Sequence, residues 1–208
     1  MASTRGKPPR TGRGIAKQTG TAKRIAEEAL AILETEGPDA VSMRRIAQAL
    51  NITPMAIYHH YPNREALLLS LVYDELATLQ ALADRAVATR TRGNRLVRIV
   101  DAYLDYAFER PHVFDYMFTL RRRQDVRYPG GFRAGRSPTL TPVADEIAAA
   151  MKTGELKKGD VWEIAMQLWA HAHGYVTMYR AGWFELSEKE FRALYHRAVK
   201  RLLDGLKA

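Results

Sequence analysis

The chain is predicted to be all-α, on three observations. From about Thr21 onward, apolar residues recur at three- and four-residue spacing, as a helix with one buried face requires. Ser, Thr or Asn stands just before several of these runs, and Gly or Pro closes them, where helix ends leave unpaired backbone groups. No stretch alternates apolar and polar residues for long enough to form a half-buried strand, and no segment repeats. At 208 residues and 47% hydrophobic content, the chain has material for one domain or two small ones. About nine helices are expected.

Residues 1–20 are rich in Gly, Pro, Thr and Lys and read as a disordered basic arm. Thr21 caps a first helix whose apolar face is Ile25, Ala29, Ile32 and Leu33; Gly37 and Pro38 stop it. Ser42 caps a second helix with Met43, Ile46, Ala47 and Leu50 facing inward, and Val41 and Ile46 have the spacing of a hydrophobic staple. Asn51-Ile52-Thr53 is a tight turn in which Asn tolerates a positive φ. Thr53 caps a third helix with Pro54 at its first position, where a missing N–H costs nothing. Asn63 caps a long fourth helix over 64–88, and "TRTRG" (89–93) breaks the pattern. Further helices are expected at 94–109, 112–121, 141–153, 158–181 and 187–206, with a loop rich in Gly, Pro and Arg at 122–138.

Net charge is +9, from 32 Lys/Arg against 23 Asp/Glu. Residues 1–70 hold ten basic and six acidic residues, a net of +4, and the remainder holds 22 and 17, a net of +5. The excess is therefore spread, and charge alone is weak evidence for a polyanionic partner. The local asymmetry is sharper: residues 1–24 carry Arg5, Lys7, Arg10, Arg13, Lys17, Lys23 and Arg24 with no acidic residue. The absence of cysteine excludes disulfides and thiolate chemistry. No uninterrupted apolar run approaches the ~18 residues of a membrane span, and the basic N-terminus lacks the apolar stretch of a secretory signal. A cytoplasmic protein with no membrane partner is the expectation.

Three short helices, the second and third joined by a tight turn, have the form of a helix-turn-helix. On a helical projection of the third, Ile57, Tyr61 and Pro54 share the inner face, while Met55 and His59 lie opposite. Tyr58 and Ala56 flank the outer surface, and His60 falls at the inner edge. Neighbouring helical residues diverge by about 100°, so His59 and His60 do not chelate one metal, which wants i,i+3 or i,i+4 spacing. No nucleophile or acid stands nearby to make either histidine catalytic. No catalytic residue, metal site or cofactor is assigned.

The stretch "RIAEEALAILETEGPDAVSMRRIAQALNITPMAIYHHYPNREALL" (24–68) resembles the N-terminal domain of the TetR (tetracycline-repressor) family of transcriptional regulators. The shared features are a first helix ending in Gly, a Ser opening the second helix, Ile-Ala within it, and Tyr-x-His-aromatic followed by a basic residue before Leu. Asn51 replaces the family's usual Gly, and Arg64 its usual Lys. The resemblance implies that Ser42 and Arg44 face the DNA backbone and that Thr53, Pro54, Met55 and Ala56 sit at the mouth of the major groove. It also implies that Tyr58 and His59 touch phosphate or base edges, with His60 at the margin and Arg64 clamping a phosphate. The implied boundaries are 21–70 for the DNA-binding domain and 71–208 for a ligand-binding and dimerisation domain.

"AYLDYAFERPHVFDYMF" (102–118) and "LWAHAHGYVTMY" (168–179) are similar to a recurring C-terminal domain of that family, marked by Trp169, His173 and Gly174. Trp162, Met166, Trp169 and His173 run along one helical face, a pattern that suits plain core as well as a ligand site. With Tyr103, Tyr106, Tyr116, Met117 and Phe114 they are the candidate ligand lining. Gly174 inside a helix points to close approach by another element. Phe191, Leu194, Ala198 and Leu202 suit a helix-helix dimer seam.

Three functional classes follow, the last of them a helical enzyme using His171 or His173, which no Ser/His/Asp, paired-carboxylate or metal-ligand spacing supports. The first is a homodimeric, non-enzymatic repressor, released from a palindromic double-stranded operator by a small apolar or aromatic effector. The second is a ligand-independent protein that coats DNA without sequence preference. Outward-facing Met55 and Ala56 favour the first, because a pure phosphate binder would present Lys or Arg there.

Overall fold

The protein is described by a computed structural model over residues 20–89, 94–119 and 127–208. The expected arm up to residue 19, most of the 89–93 break, the end of the helix expected at 112–121 and the start of the 122–138 loop lie outside the described residues.

Ten α-helices form among the described residues: α1 Gly20–Glu36, α2 Met43–Ala49, α3 Pro54–Tyr58, α4 Arg64–Ala88, α5 Arg95–Glu109, α6 Pro111–Thr119, α7 Gly130–Arg133, α8 Thr141–Thr153, α9 Val161–Arg180 and α10 Glu188–Leu206. There is no strand among them, and a short 3-10 turn, Pro38–Ala40, links α1 to α2. The count exceeds the expected nine because α7 lies in the segment read as loop. Its residues, GGFR, carry no helix-favouring sequence, and Phe132 packs against the core. Thr21 lies inside α1 and does not cap it, since the helix already includes Gly20.

Most helix starts are set by one side chain. Ser42 accepts from Arg45 N, Asn63 Oδ1 from Ala66 N at 2.7 Å, and Asn94 Oδ1 from Leu96 N at 2.8 Å. Asp160 Oδ1 accepts from Trp162 N and Glu163 N, so α9 starts at Val161, later than the expected 158. Ser187 and Glu190 close a reciprocal capping box on α10.

One buried cluster runs without interruption from Ile25 to Leu203. The helix α1 packs on α2 and on α4, and α2 packs on α3. Farther along, α4 packs on α5 and α8, while α9 and α10 close over α5. The helix α6 sits between the two halves, against α1, α4 and α5. By length and hydropathy α4 is the one described helix that could cross a membrane. Eight of its residues, Glu75 included, are instead buried against neighbouring helices. On α10, Phe191 and Ala198 are buried within the protomer and Leu194 and Leu202 are part-exposed, so half of the expected dimer stripe is protomer core.

Candidate nucleic-acid interface and core cavity

The α2–α3 turn is built on Asn51, which takes a left-handed φ of 52°. Ile52 N donates to Ala47 O at 2.9 Å and Ala56 N to Thr53 Oγ1 at 3.3 Å, so the turn satisfies the backbone groups at both helix ends. Ile57 is fully buried and Tyr61 nearly so, with the Tyr61 hydroxyl donating to Ala22 O on α1. These anchors turn the opposite side of α3 to solvent. Met55 is 65% exposed, Tyr58, His59 and Thr53 are exposed, and Ala56 is half-buried.

Two orientations differ from the projection. Pro54 and His60 are exposed, not inward-facing. The helix ends at Tyr58 with His59 as its C-cap, so a helical angle has no meaning for His60. Pro54 lies in the first turn, where the chain has not yet entered the core.

Exposed Ser42, Arg44 and Gln48 lie on α2 or at its start, and no Asp or Glu occurs between Ala40 and Arg64. Arg45 is paired with Glu36 through both guanidinium nitrogens, and that hydrogen bonding holds the Glu36 carboxyl below its usual range. Arg64 is committed inside the protein: its Nε donates to Val41 O at 2.7 Å and its Nη2 to Pro38 O. Where the sequence reading expected a phosphate clamp, this guanidinium ties the start of α4 to the turn before α2.

In the other half, a cavity of about 40 Å³ lies between α4, α5, α8 and α9. Leu79, Ala83, Ile99, Leu140, Val143 and Leu168 form much of its wall, and no charged residue lines it. Of the nine predicted lining residues, Tyr103 and Trp169 are in the wall. His173 adjoins it, its Nδ1 2.7 Å from the Tyr103 hydroxyl, stacked on Trp169 and 4.7 Å from the Phe118 ring centre. Burial lowers the His173 pKa, which favours a neutral imidazole.

Tyr106 and Met117, predicted as lining, belong elsewhere. Tyr106 donates to Glu75 Oε2 at 2.8 Å and contacts Met117 Sδ at 3.2 Å in a buried polar cluster completed by Arg110. Burial raises the Tyr106 pKa strongly. Tyr116 is half-buried near Arg64 and Glu65, while Trp162 and Met166 are half-buried on α9 outside the cavity wall. Among the described residues no three His, Asp or Glu side chains gather as a metal site.

Residues 96–202 match the family described as "Tetracyclin repressor-like, C-terminal domain", and residues 25–71 match "Bacterial regulatory proteins, tetR family". The chain belongs to the TetR family. It is thus a DNA-binding transcriptional regulator, a non-enzymatic class. An HTH-type transcriptional regulator of Mycobacterium tuberculosis is 22% identical over 99% of this chain and 92% of its own length. A protein from Rhodococcus sp. RHA1 shares the fold, with a TM-score of 0.77 and 21% identity over 93% of this chain and 99% of that one. The transcriptional regulator FadR of Bacillus subtilis, solved in complex with stearoyl-CoA, has a TM-score of 0.67 and 16% identity over 88% of this chain and 98% of its own.

Within this TetR chain, the sequence reading missed Gln48, Phe118 and most of the aliphatic cavity wall. Leu79 and Ala83 carried a signal, an i,i+4 pair on one face of α4, but it is indistinguishable from ordinary core spacing.

Proposed function

We propose that the protein is a dimeric repressor that binds an inverted-repeat operator and leaves it when a small apolar effector enters and widens the α4–α5–α8–α9 cavity, which at about 40 Å³ is too small to hold one without repacking. Residues 21–70 serve as the DNA-binding domain, residues 71–208 as the effector and dimerisation domain, and the protein acts in the cytoplasm. The observation that carries the reading is the outer face of α3. Met55, Tyr58 and His59 stand exposed, with Ala56 half-buried among them, in a segment (41–63) without a carboxylate that also holds exposed Ser42, Arg44, Thr53 and Pro54. His60 stands at the margin of that face. Backbone contacts then come from Ser42, Arg44 and Tyr58, and base or shape readout from Met55, Ala56 and His59.

The uncharged cavity supports an apolar effector, since a charged ligand there would lie desolvated and unpaired. The stearoyl-CoA bound by a regulator of similar fold is consistent with an effector carrying much apolar surface. Tyr103, Trp169 and His173 form the polar-edged end of this site. A second copy fits against α9, where Met178 is exposed and a Cβ on Gly174 would meet nothing within 4 Å in the protomer. The close approach expected at Gly174 is then made between protomers.

Selection from random duplexes tests the core of this reading. The expected product is an inverted repeat with half-sites about one helical turn apart. Recovery of no motif, with binding governed only by salt, would favour the DNA-coating alternative. Uncharged aromatic compounds and long-chain acyl-CoA are the effectors to screen for release of the selected duplex.

A further inference from the structure

Arg110 stands between α5 and α6 and reaches in two directions. Its Nη1 donates to Glu75 Oε2 on α4, and its Nη2 donates to Glu34 Oε1 on α1. Glu75 is only 4% exposed and also accepts from the Tyr106 hydroxyl. A buried carboxylate needs such partners, and a planar guanidinium serves two acceptors at once where an ammonium does so poorly. Arg110 therefore binds α1 to the long α4 helix and to the core simultaneously.

The surroundings fix the first turn of α6 as the other side of this joint. Arg180 on α9 donates to both carboxylate oxygens of Asp115 and to Pro111 O. Gly37, just beyond α1, lies against α6, close enough that a Cβ there would stand 3.6 Å from His112 Nδ1. The helix α1 in turn packs on α2, and Tyr61 after α3 bonds to Ala22. The seat of α1 on the core thus sets the direction in which α3 points.

We propose that Arg110 is a positioning residue for DNA recognition: by holding Glu34 and Glu75 together, it fixes the angle of the helix-turn-helix on the core and so the half-site spacing that the dimer accepts. This rests on the dimeric-operator reading above. One base pair added between half-sites moves the far half-site by about 3.4 Å and turns it by about 35°. Two rigidly held reading heads lose contacts under that change, whereas loosened heads follow it.

The variant Glu34→Ala removes the acceptor of the α1 arm and leaves the buried Glu75–Arg110 pair whole. Arg110→Lys keeps a cation for Glu75 but loses the fork. Both are compared with wild type on the selected operator and on duplexes with one base pair inserted or removed between half-sites, with urea unfolding as a check on folding. Wild type is expected to lose about tenfold or more in affinity per altered base pair, and each variant less than about threefold. An unchanged spacing penalty in Glu34→Ala overturns the proposal. Because the chain has no cysteine, paired spin labels at Thr21→Cys and Ala193→Cys, diluted with unlabelled protein, read the joint without DNA. A narrow distance distribution in wild type that broadens in Glu34→Ala supports the positioning role, and equal widths overturn it. If wild type binds no inverted repeat, the operator reading fails, and the label distances still decide what Arg110 does.

Discussion

Arg64 carries a positive charge at the N-terminus of α4, yet its Nε and Nη2 face the carbonyls of Val41 and Pro38. Removing it leaves those acceptors without their charged donor. Arg64→Ala is therefore expected to cost about 1–3 kcal/mol, read as a lower urea midpoint. The log–log salt slope of DNA binding should remain as in wild type; a fall of about one unit would restore the phosphate role. At this scale the sequence reading identified kinds of residue better than their uses. Ile57, Met55 and His59 fell on the expected sides of α3, because inside a helix spacing fixes direction. His60 and Arg64 did not follow it, because one lies past the helix end and the other reaches back across some twenty residues of sequence. Nothing in local spacing encodes such a return.

Among the elements, those bounded by a capping side chain were legible almost to the residue. Asn63 before α4, Thr53 before α3 and Ser187 before α10 mark their starts, since each accepts a backbone N–H that would otherwise be unpaired. The start of α9 was misplaced where Asp160 had been read as helix interior. The α2–α3 turn offers a direct check on this logic. With φ at 52°, Asn51 occupies a conformation that side chains with a Cβ disfavour. Asn51→Ala should lower the stability of the helix-turn-helix by about 1 kcal/mol, while Asn51→Gly should stay within a few tenths. Thermal unfolding followed by circular dichroism measures both, and equal losses would show that the turn relaxes out of the left-handed region. The cavity was the least legible feature at this scale. Its wall comes from four helices distant in sequence, so only packing brings Leu79, Ile99, Val143 and Leu168 together.

For the molecule as a whole, the exposed large apolar residues are spread over several elements. Met55 and Tyr58 lie on α3, Leu69 and Tyr73 on α4 and Tyr128 before α7, whereas Met178 and 75%-exposed Trp183 lie together at the far end of α9 and just beyond it. A face of this kind is stable in water when a second copy covers it. Met178→Glu should therefore yield a particle near the 23.5 kDa of one chain in sedimentation, with binding reduced to single half-sites. A variant that still sediments at twice that mass would move the seam elsewhere. The sequence reading placed that seam on α10, because Phe191, Leu194, Ala198 and Leu202 form an apolar stripe. Periodicity cannot distinguish a stripe buried within the protomer from one buried between two copies.

The helix α4 starts beside the reading head and ends along the cavity wall, a run of 25 residues without a break. At 1.5 Å per residue it is a rod of about 37 Å. A tilt of about 5° about its cavity end would sweep its first turn through about 3 Å, close to the rise of one base pair. Distortions at the cavity that would be small by the standards of a protein core are thus magnified into whole steps of the DNA ladder.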